Sequence, residues 1–126
     1  MSEIELAATA STPAVSANSA NGTLEMRGDS YPENSFEFFA PIVAWVKRHL
    51  RETQTPLRLE LHLLYLNTSS VRAMMDIFDM LEDAHNAGQS VEVSWFYDAD
   101  NERIAELAED FKEDCTFPFG ILPRDA

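Results

Sequence analysis

Cysteine is almost missing from this chain. The one cysteine in 126 residues, Cys115, cannot close an internal disulfide, so the fold has to rest on packing. Glycine is scarce as well, with four in the whole sequence, too few for most phosphate-cradling loops. There is no Walker-type loop, no dinucleotide fingerprint and no Gly-x-Ser-x-Gly elbow. His49, His62 and His85 are scattered over a predicted helix, a strand and a helix end, and no Cys or His spacing suits zinc. No apolar run reaches the ~18 residues of a membrane span. The opening Met1-Ser-Glu-Ile-Glu-Leu6 lacks the basic and apolar regions of a signal peptide. These absences point away from a disulfide scaffold, a membrane protein and a zinc domain, and toward the cytoplasm. Cys115 has no activating neighbour in sequence and reads as a packed or idle thiol.

Positive charge is also in short supply. Nine Lys and Arg face 22 Asp and Glu, for a net charge of −13. Such a chain repels nucleic acid and anionic lipid at long range, so neither is expected as a partner. Partners with basic patches are steered toward it. The stretch from Asp98 to Asp114 is the most acidic, with Arg103 and Lys112 as its only cations. A solvated helix face is the first reading of it and an electrostatic docking face the second. Its spacing fits no calcium loop, which needs alternating oxygen ligands, a central Gly and a final Glu.

What is present is a regular alternation of elements. The length allows one domain. Residues 1–12 read as a flexible N-terminal segment, with a short strand at Ile4–Ala8, ahead of a single domain over 13–126. Pro13–Ala17 and Thr23–Arg27 read as two short strands joined by a hairpin loop ending at Gly22. Ser30-Tyr-Pro-Glu33 has the form of a helix start, with Ser30 as cap. Phe36, Phe39, Val43, Val46 and Leu50 follow at helical spacing, and Pro41 should bend that helix. Leu57–Leu66 alternates, placing Leu57, Leu59, Leu61, Leu63 and Tyr65 on one face. Leu64 and Leu66 join the other, so the strand looks covered on both sides toward its end. A second helix runs from about Ser69 to Ala87, with Val71, Met74, Phe78, Leu81 and His85 inward and Gly88 as terminator. Val91–Tyr97 is a further strand. A third helix starts at Asp98-Ala-Asp100, with Ile104, Leu107, Ala108 and Phe111 inward, and Phe117–Leu122 is a last extended segment. The order implies an α/β fold whose mixed β-sheet combines an N-terminal hairpin with parallel strands, carrying about three to four helices.

The junction between the Leu57–Leu66 strand and the second helix is where function is expected. There Asn67, Thr68, Ser69 and Ser70 stand in a row. Each is a preferred N-cap type, so plain capping accounts for one of them. One helix needs one cap, and the others stand where unpartnered N–H groups and the positive end of a helix dipole favour an anion. A phosphate on Thr68 would add a charge of about −1.5 to −2, with Arg72 one turn away as countercharge. The junction therefore reads as a phosphorylatable switch, with Asn67, Ser69, Ser70 and Arg72 as partner-binding residues around Thr68. No nucleophile–base pair and no metal site is visible, so no enzyme activity and no cofactor is expected. Phe38 and Trp45 lie on a stripe beside the predicted core of the first helix. They widen the buried face or, alternatively, form an exposed patch for a partner.

The element order, with a hydroxyl residue at this junction, resembles the STAS domains of anti-sigma factor antagonists. Gly28-Asp-Ser-Tyr-Pro-Glu-Asn-Ser-Phe-Glu-Phe-Phe39 and Leu64-Tyr-Leu-Asn-Thr-Ser-Ser70 resemble more specifically the STAS-like DUF1987 family of biofilm-regulation phosphoproteins, the SiaC family. That resemblance covers residues 12 to 124. It implies a cytoplasmic adaptor phosphorylated on Thr68 by a SiaB-like protein kinase and dephosphorylated by a SiaA-like, membrane-anchored PP2C-type phosphatase. It further implies that the unphosphorylated form binds and activates a SiaD-like diguanylate cyclase, raising cyclic di-GMP and promoting aggregation. Two other readings stand beside it. One is an anti-sigma factor antagonist acting on transcription through an anti-sigma kinase. The other is a small hydrolase or ligand-binding domain using the same strand-end crevice.

Overall fold

The computed structural model describes residues 3–124. Strands β1 (Ile4–Leu6), β2 (Ala14–Asn18) and β3 (Thr23–Ser30) lead into helix α1 (Ser35–Glu52). Strand β4 (Leu57–Leu66), helix α2 (Thr68–Asn86), strand β5 (Val91–Asp98), helix α3 (Glu102–Glu113) and strand β6 (Phe119–Arg124) follow. The six strands lie side by side in chain order. β1, β2 and β3 are antiparallel neighbours, and β3 to β6 are parallel. The α/β class and the mixed sheet are as the sequence implied, with three helices. Part of the segment expected to be a flexible end is built into the sheet, as β1 on its antiparallel edge.

Three successive crossovers of the same hand, all stepping in one direction, place the three helices on one face of the sheet. The register shows the result. Ala17, Leu24, Leu59, Val93 and Phe119 form one lateral row, and all are buried. The adjacent row, Ser16, Glu25, Glu60, Ser94 and Gly120, lies on the other face and is half-buried. Alternation in each strand is what one wet and one dry face require. Gly22 makes the β2–β3 turn possible. Its φ is +67°, and a Cβ there would sit 2.0 Å from the Pro56 carbonyl oxygen.

The expectation that β4 is covered on both sides is corrected. The β3–β4 register shifts between Gly28 and Asp29, where Gly28 pairs with Leu63 and Asp29 with Tyr65. Leu64 is the extra residue, and Gly28 takes the strain with a φ of +112°. Side chains change phase at this bulge. Leu64 and Tyr65 are 40% and 49% exposed, and Leu66 turns back into the core.

Helix α1 also begins elsewhere than expected. Its cap is Asn34, whose Oδ1 accepts from the Glu37 N–H at 3.0 Å while its Nδ2 donates to the Glu37 carboxylate at 3.3 Å. Ser30 instead ends β3 and is buried. The buried stripe is Phe39, Ile42, Trp45, Val46 and His49, rotated from the predicted one. Trp45 and the half-buried Phe38 widen the core, whereas Phe36, assigned to it by spacing, is 86% exposed. Helix α3 is capped by Asn101, just after Asp98-Ala-Asp100, and buries Ile104, Ala108 and Phe111 as anticipated.

Candidate functional site at the start of helix α2

Chain direction places the ends of β3 and β4 and the starts of α1 and α2 at one edge of the molecule. Asn67 is the α2 cap. Its Oδ1 accepts from the Ser70 N–H at 2.9 Å, and its own carbonyl accepts from the Val71 N–H at 2.9 Å. Its N–H donates to the Ser30 carbonyl oxygen at 2.9 Å, pinning the junction to the end of β3.

The hydroxyls of this run have different fates. Ser70 Oγ donates to the Ser30 carbonyl oxygen at 3.0 Å and lies 2.7 Å from Ser30 Oγ. With its one proton so used, Ser70 accepts from the Ser30 hydroxyl. Both side chains are fully buried. Ser69 Oγ donates to Asn67 Oδ1 at 3.2 Å, and by the same reasoning accepts from Ser35 Oγ at 2.6 Å, joining α2 to the first residue of α1. Thr68, the first helical residue, is exposed, and its hydroxyl has no hydrogen-bond partner among the described residues. The side chain of Ser70, expected among the partner-binding residues, is inside the junction and offers no surface.

The electrostatics of α2 are also distinct. Helices α1 and α3 carry Glu37 and Glu102 in their first turns, and α2 carries no acidic residue in its first turn. No carboxylate of its own first turn thus offsets the positive end of its dipole. Arg72 is exposed one turn further on, and it and Ser69 line a groove of about 710 Å³ between α1 and α2. Phe36, Val43 and Met80 supply much of its apolar surface, with Lys47 and Asp76 among its charges. Sequence reasoning placed Phe36 in the core. The signal that could have found it was the second capping pattern, Asn34 to Glu37, which makes Phe36 only the second residue of the helix.

The other candidates are quiet. Cys115 is half-buried, its thiol donates to the Phe111 carbonyl oxygen at 3.3 Å, and burial first, then nearby carboxylates, pushes it up to about 11. Such a thiol is inert at neutral pH. His62 accepts from the Arg124 guanidinium at 3.0 Å and stacks on Phe96, and burial, followed by Arg27 and Arg124, pushes its pKa down. Among the described residues no cluster of His, Cys, Asp or Glu could hold a metal ion, and no helix is long and apolar enough to cross a membrane.

A six-stranded mixed sheet with three crossover helices, and an exposed hydroxyl where a parallel strand turns into a helix, make this a small α/β domain. Within that class the chain belongs to the SiaC family of regulatory phosphoproteins, whose family model matches residues 6–124. It is 55% identical over 125 residues to an uncharacterised protein of Pseudomonas aeruginosa (strain UCBPP-PA14), covering 99% of both chains. It is 53% identical to SiaC of Pseudomonas aeruginosa, with a TM-score of 0.92 over 98% of this chain and 100% of that one. A chain in the crystal structure of the diguanylate cyclase SiaD in complex with its activator SiaC, from the same organism, is 54% identical. There the TM-score is 0.94, over 97% of this chain and 100% of that one.

Proposed function

We propose that this chain is a cytoplasmic, phosphorylation-switched adaptor whose unphosphorylated form binds and activates a diguanylate cyclase. Thr68 carries the switch. A SiaB-like kinase and a SiaA-like PP2C-type phosphatase write and erase it. The chain acts by binding, without turnover of its own. One observation carries the choice of residue: Thr68 alone in the Thr68-Ser69-Ser70 run has an exposed hydroxyl with no internal hydrogen bond. A kinase would have to unpack the β3–α2 junction to reach Ser70, and break the Ser35 link to use Ser69.

The switch acts locally. Phosphate on Thr68 meets the outward N–H groups and the positive dipole end of α2, so it is held without rearrangement. It also draws Arg72, four residues on and a rim residue of the α1–α2 groove, toward itself. A partner seated on Ser69, Arg72 and Phe36 then meets about −1.5 to −2 of new charge and a withdrawn arginine. The similarity to the activator of SiaD supports this reading.

The test combines intact-mass and tandem mass spectrometry of protein from its native cell with a cyclase assay. Phosphate should sit on Thr68 and vanish when the kinase is absent. Thr68→Ala should bind and activate the cyclase irrespective of the kinase. Phosphate found on Ser70, or a normally folded Thr68→Ala that does not bind the cyclase, overturns the proposal. Recovery of an anti-sigma kinase in place of a cyclase would move the chain to the transcriptional reading.

A further inference from the structure

A second groove lies on the opposite flank of α2, between it and α3, with a volume of about 270 Å³. Val71, Met75 and Leu107 provide its accessible apolar surface over a base of Phe78 and Phe111. Met75 is 49% exposed on this surface. Asp79, Asp110 and Asp114 stand around this surface, all exposed, and no Lys or Arg lines it. The α1–α2 groove differs in kind, since Lys47 and Arg72 line it beside a single Asp76.

We propose that the α2–α3 groove is a second docking surface, and that it takes a basic amphipathic helix from a partner protein. The apolar floor asks for an apolar stripe, and three unpaired carboxylates on both flanks ask for Lys or Arg beside that stripe. Helices α2 and α3 both return antiparallel to the parallel strands, so they run side by side, and a third helix can lie along the valley between them. At the end of the valley, burial and then the carboxylates of Glu82, Asp114 and Asp79 push the Cys115 thiol up to about 11. No cation within the described chain pairs with the rim Asp residues. The inference goes beyond the Thr68 switch and does not depend on it, because neither phosphate nor the α1–α2 groove takes part.

The test is titration of the full chain with a Leu/Lys amphipathic helical peptide of about five turns, ~18 residues, followed by amide and methyl NMR. Resonances of Val71, Met75 and Leu107 should shift, those of Phe36 and Val43 should stay, and binding should weaken as ionic strength rises through ~0.1 M. Asp79→Asn/Asp110→Asn/Asp114→Asn should bind about tenfold more weakly. Glu102→Gln/Glu106→Gln/Glu109→Gln removes the same charge from exposed positions outside the groove and should bind within about twofold of wild type. Equal losses in the two variants would mean diffuse attraction to net charge and would overturn the proposal. So would equal binding of a Leu/Glu peptide, or shifts confined to the α1–α2 groove. Both variants change only exposed side chains, and thermal melts check that they fold. Failure here would leave cyclase activation by Thr68→Ala untouched, so the two proposals fail separately.

Discussion

Ser30 and Ser70, forty residues apart in sequence, meet with their hydroxyl oxygens 2.7 Å apart inside the protein. One ends β3 and the other lies in the first turn of α2. Ser70→Ala should strand the Ser30 hydroxyl in a dry site and cost about 1–3 kcal/mol. Ser30→Ala removes the other half and should cost less than Ser70→Ala, which also loses the bond to the Ser30 carbonyl. The double variant should be less destabilised than the sum, because neither partner is then left unsatisfied. Denaturant melts of the four proteins measure this, and strict additivity would contradict it.

Asn67 and Thr68 are neighbours with separable jobs. Asn67→Ala removes the α2 cap and should lower stability by about 0.5–2 kcal/mol. Thr68→Ala touches an exposed, unbonded side chain and should stay within about 0.5 kcal/mol of wild type. The reverse order in urea melts would make Thr68 the structural residue and Asn67 the dispensable one.

Phe36 is the most exposed large apolar side chain described, at 86%, and it lines the α1–α2 groove. Phe36→Ala should leave the melting profile within about 0.5 kcal/mol of wild type and yet weaken cyclase binding about tenfold or more, as loss of an aromatic anchor does. Calorimetric titration with the purified cyclase decides it; unchanged affinity would remove this groove from the interface.

Glu3 ties β1 down by accepting from the Ser19 hydroxyl, the Trp45 indole N–H and the Ser19 backbone N–H. Those bonds, in that order, hold its pKa down to about 2 against an ordinary 4.5. A pKa lowered on folding stabilises above the unfolded value, and that contribution fades as pH falls from about 4.5 toward about 2. The Trp45 indole N–H resonance should therefore move across that window in wild type and lose this dependence in Glu3→Gln. Identical acid profiles for the two proteins would show that the carboxylate is not the anchor.

Most elements were legible because their apolar periods are strong. Helix α2 falls where spacing put it; α3 keeps its predicted inward face but begins at Glu102 and not at Asp98, which still belongs to β5; and the parallel β4–α2–β5 unit follows from element order. The β4–α2 junction was legible as a helix start, because four capping-type residues stand there in a row. Its inner division was not. Nothing in Thr68-Ser69-Ser70 says which hydroxyl Ser30 claims, since that contact comes from a strand distant in sequence. Helix α1 was misphased for two reasons. Both Ser30-x-x-Glu33 and Asn34-x-x-Glu37 have capping form, and the second prevailed because Ser30 is needed in β3. Counting only apolar residues also missed His49. It is buried on the core stripe because its Nε2 bonds the Thr55 carbonyl oxygen at 2.9 Å and its ring stacks on Trp45.

The irregularity at Gly28 and Leu64 sets the clock for everything downstream of it. A strand has a period of two, so one surplus residue decides which of two opposite directions the chain faces as it leaves the sheet. With Leu64 present, Leu66 drops inward and Asn67 arrives where it can take the Ser30 carbonyl oxygen and cap α2. Deleting Leu64 would leave every residue from Asn67 to Ser70 in the sequence and in the same order. It would turn Leu66 out toward water and carry Asn67 and Thr68 half a turn away from α1. The position of the Thr68 hydroxyl is thus set upstream, by the surplus residue Leu64 in β4.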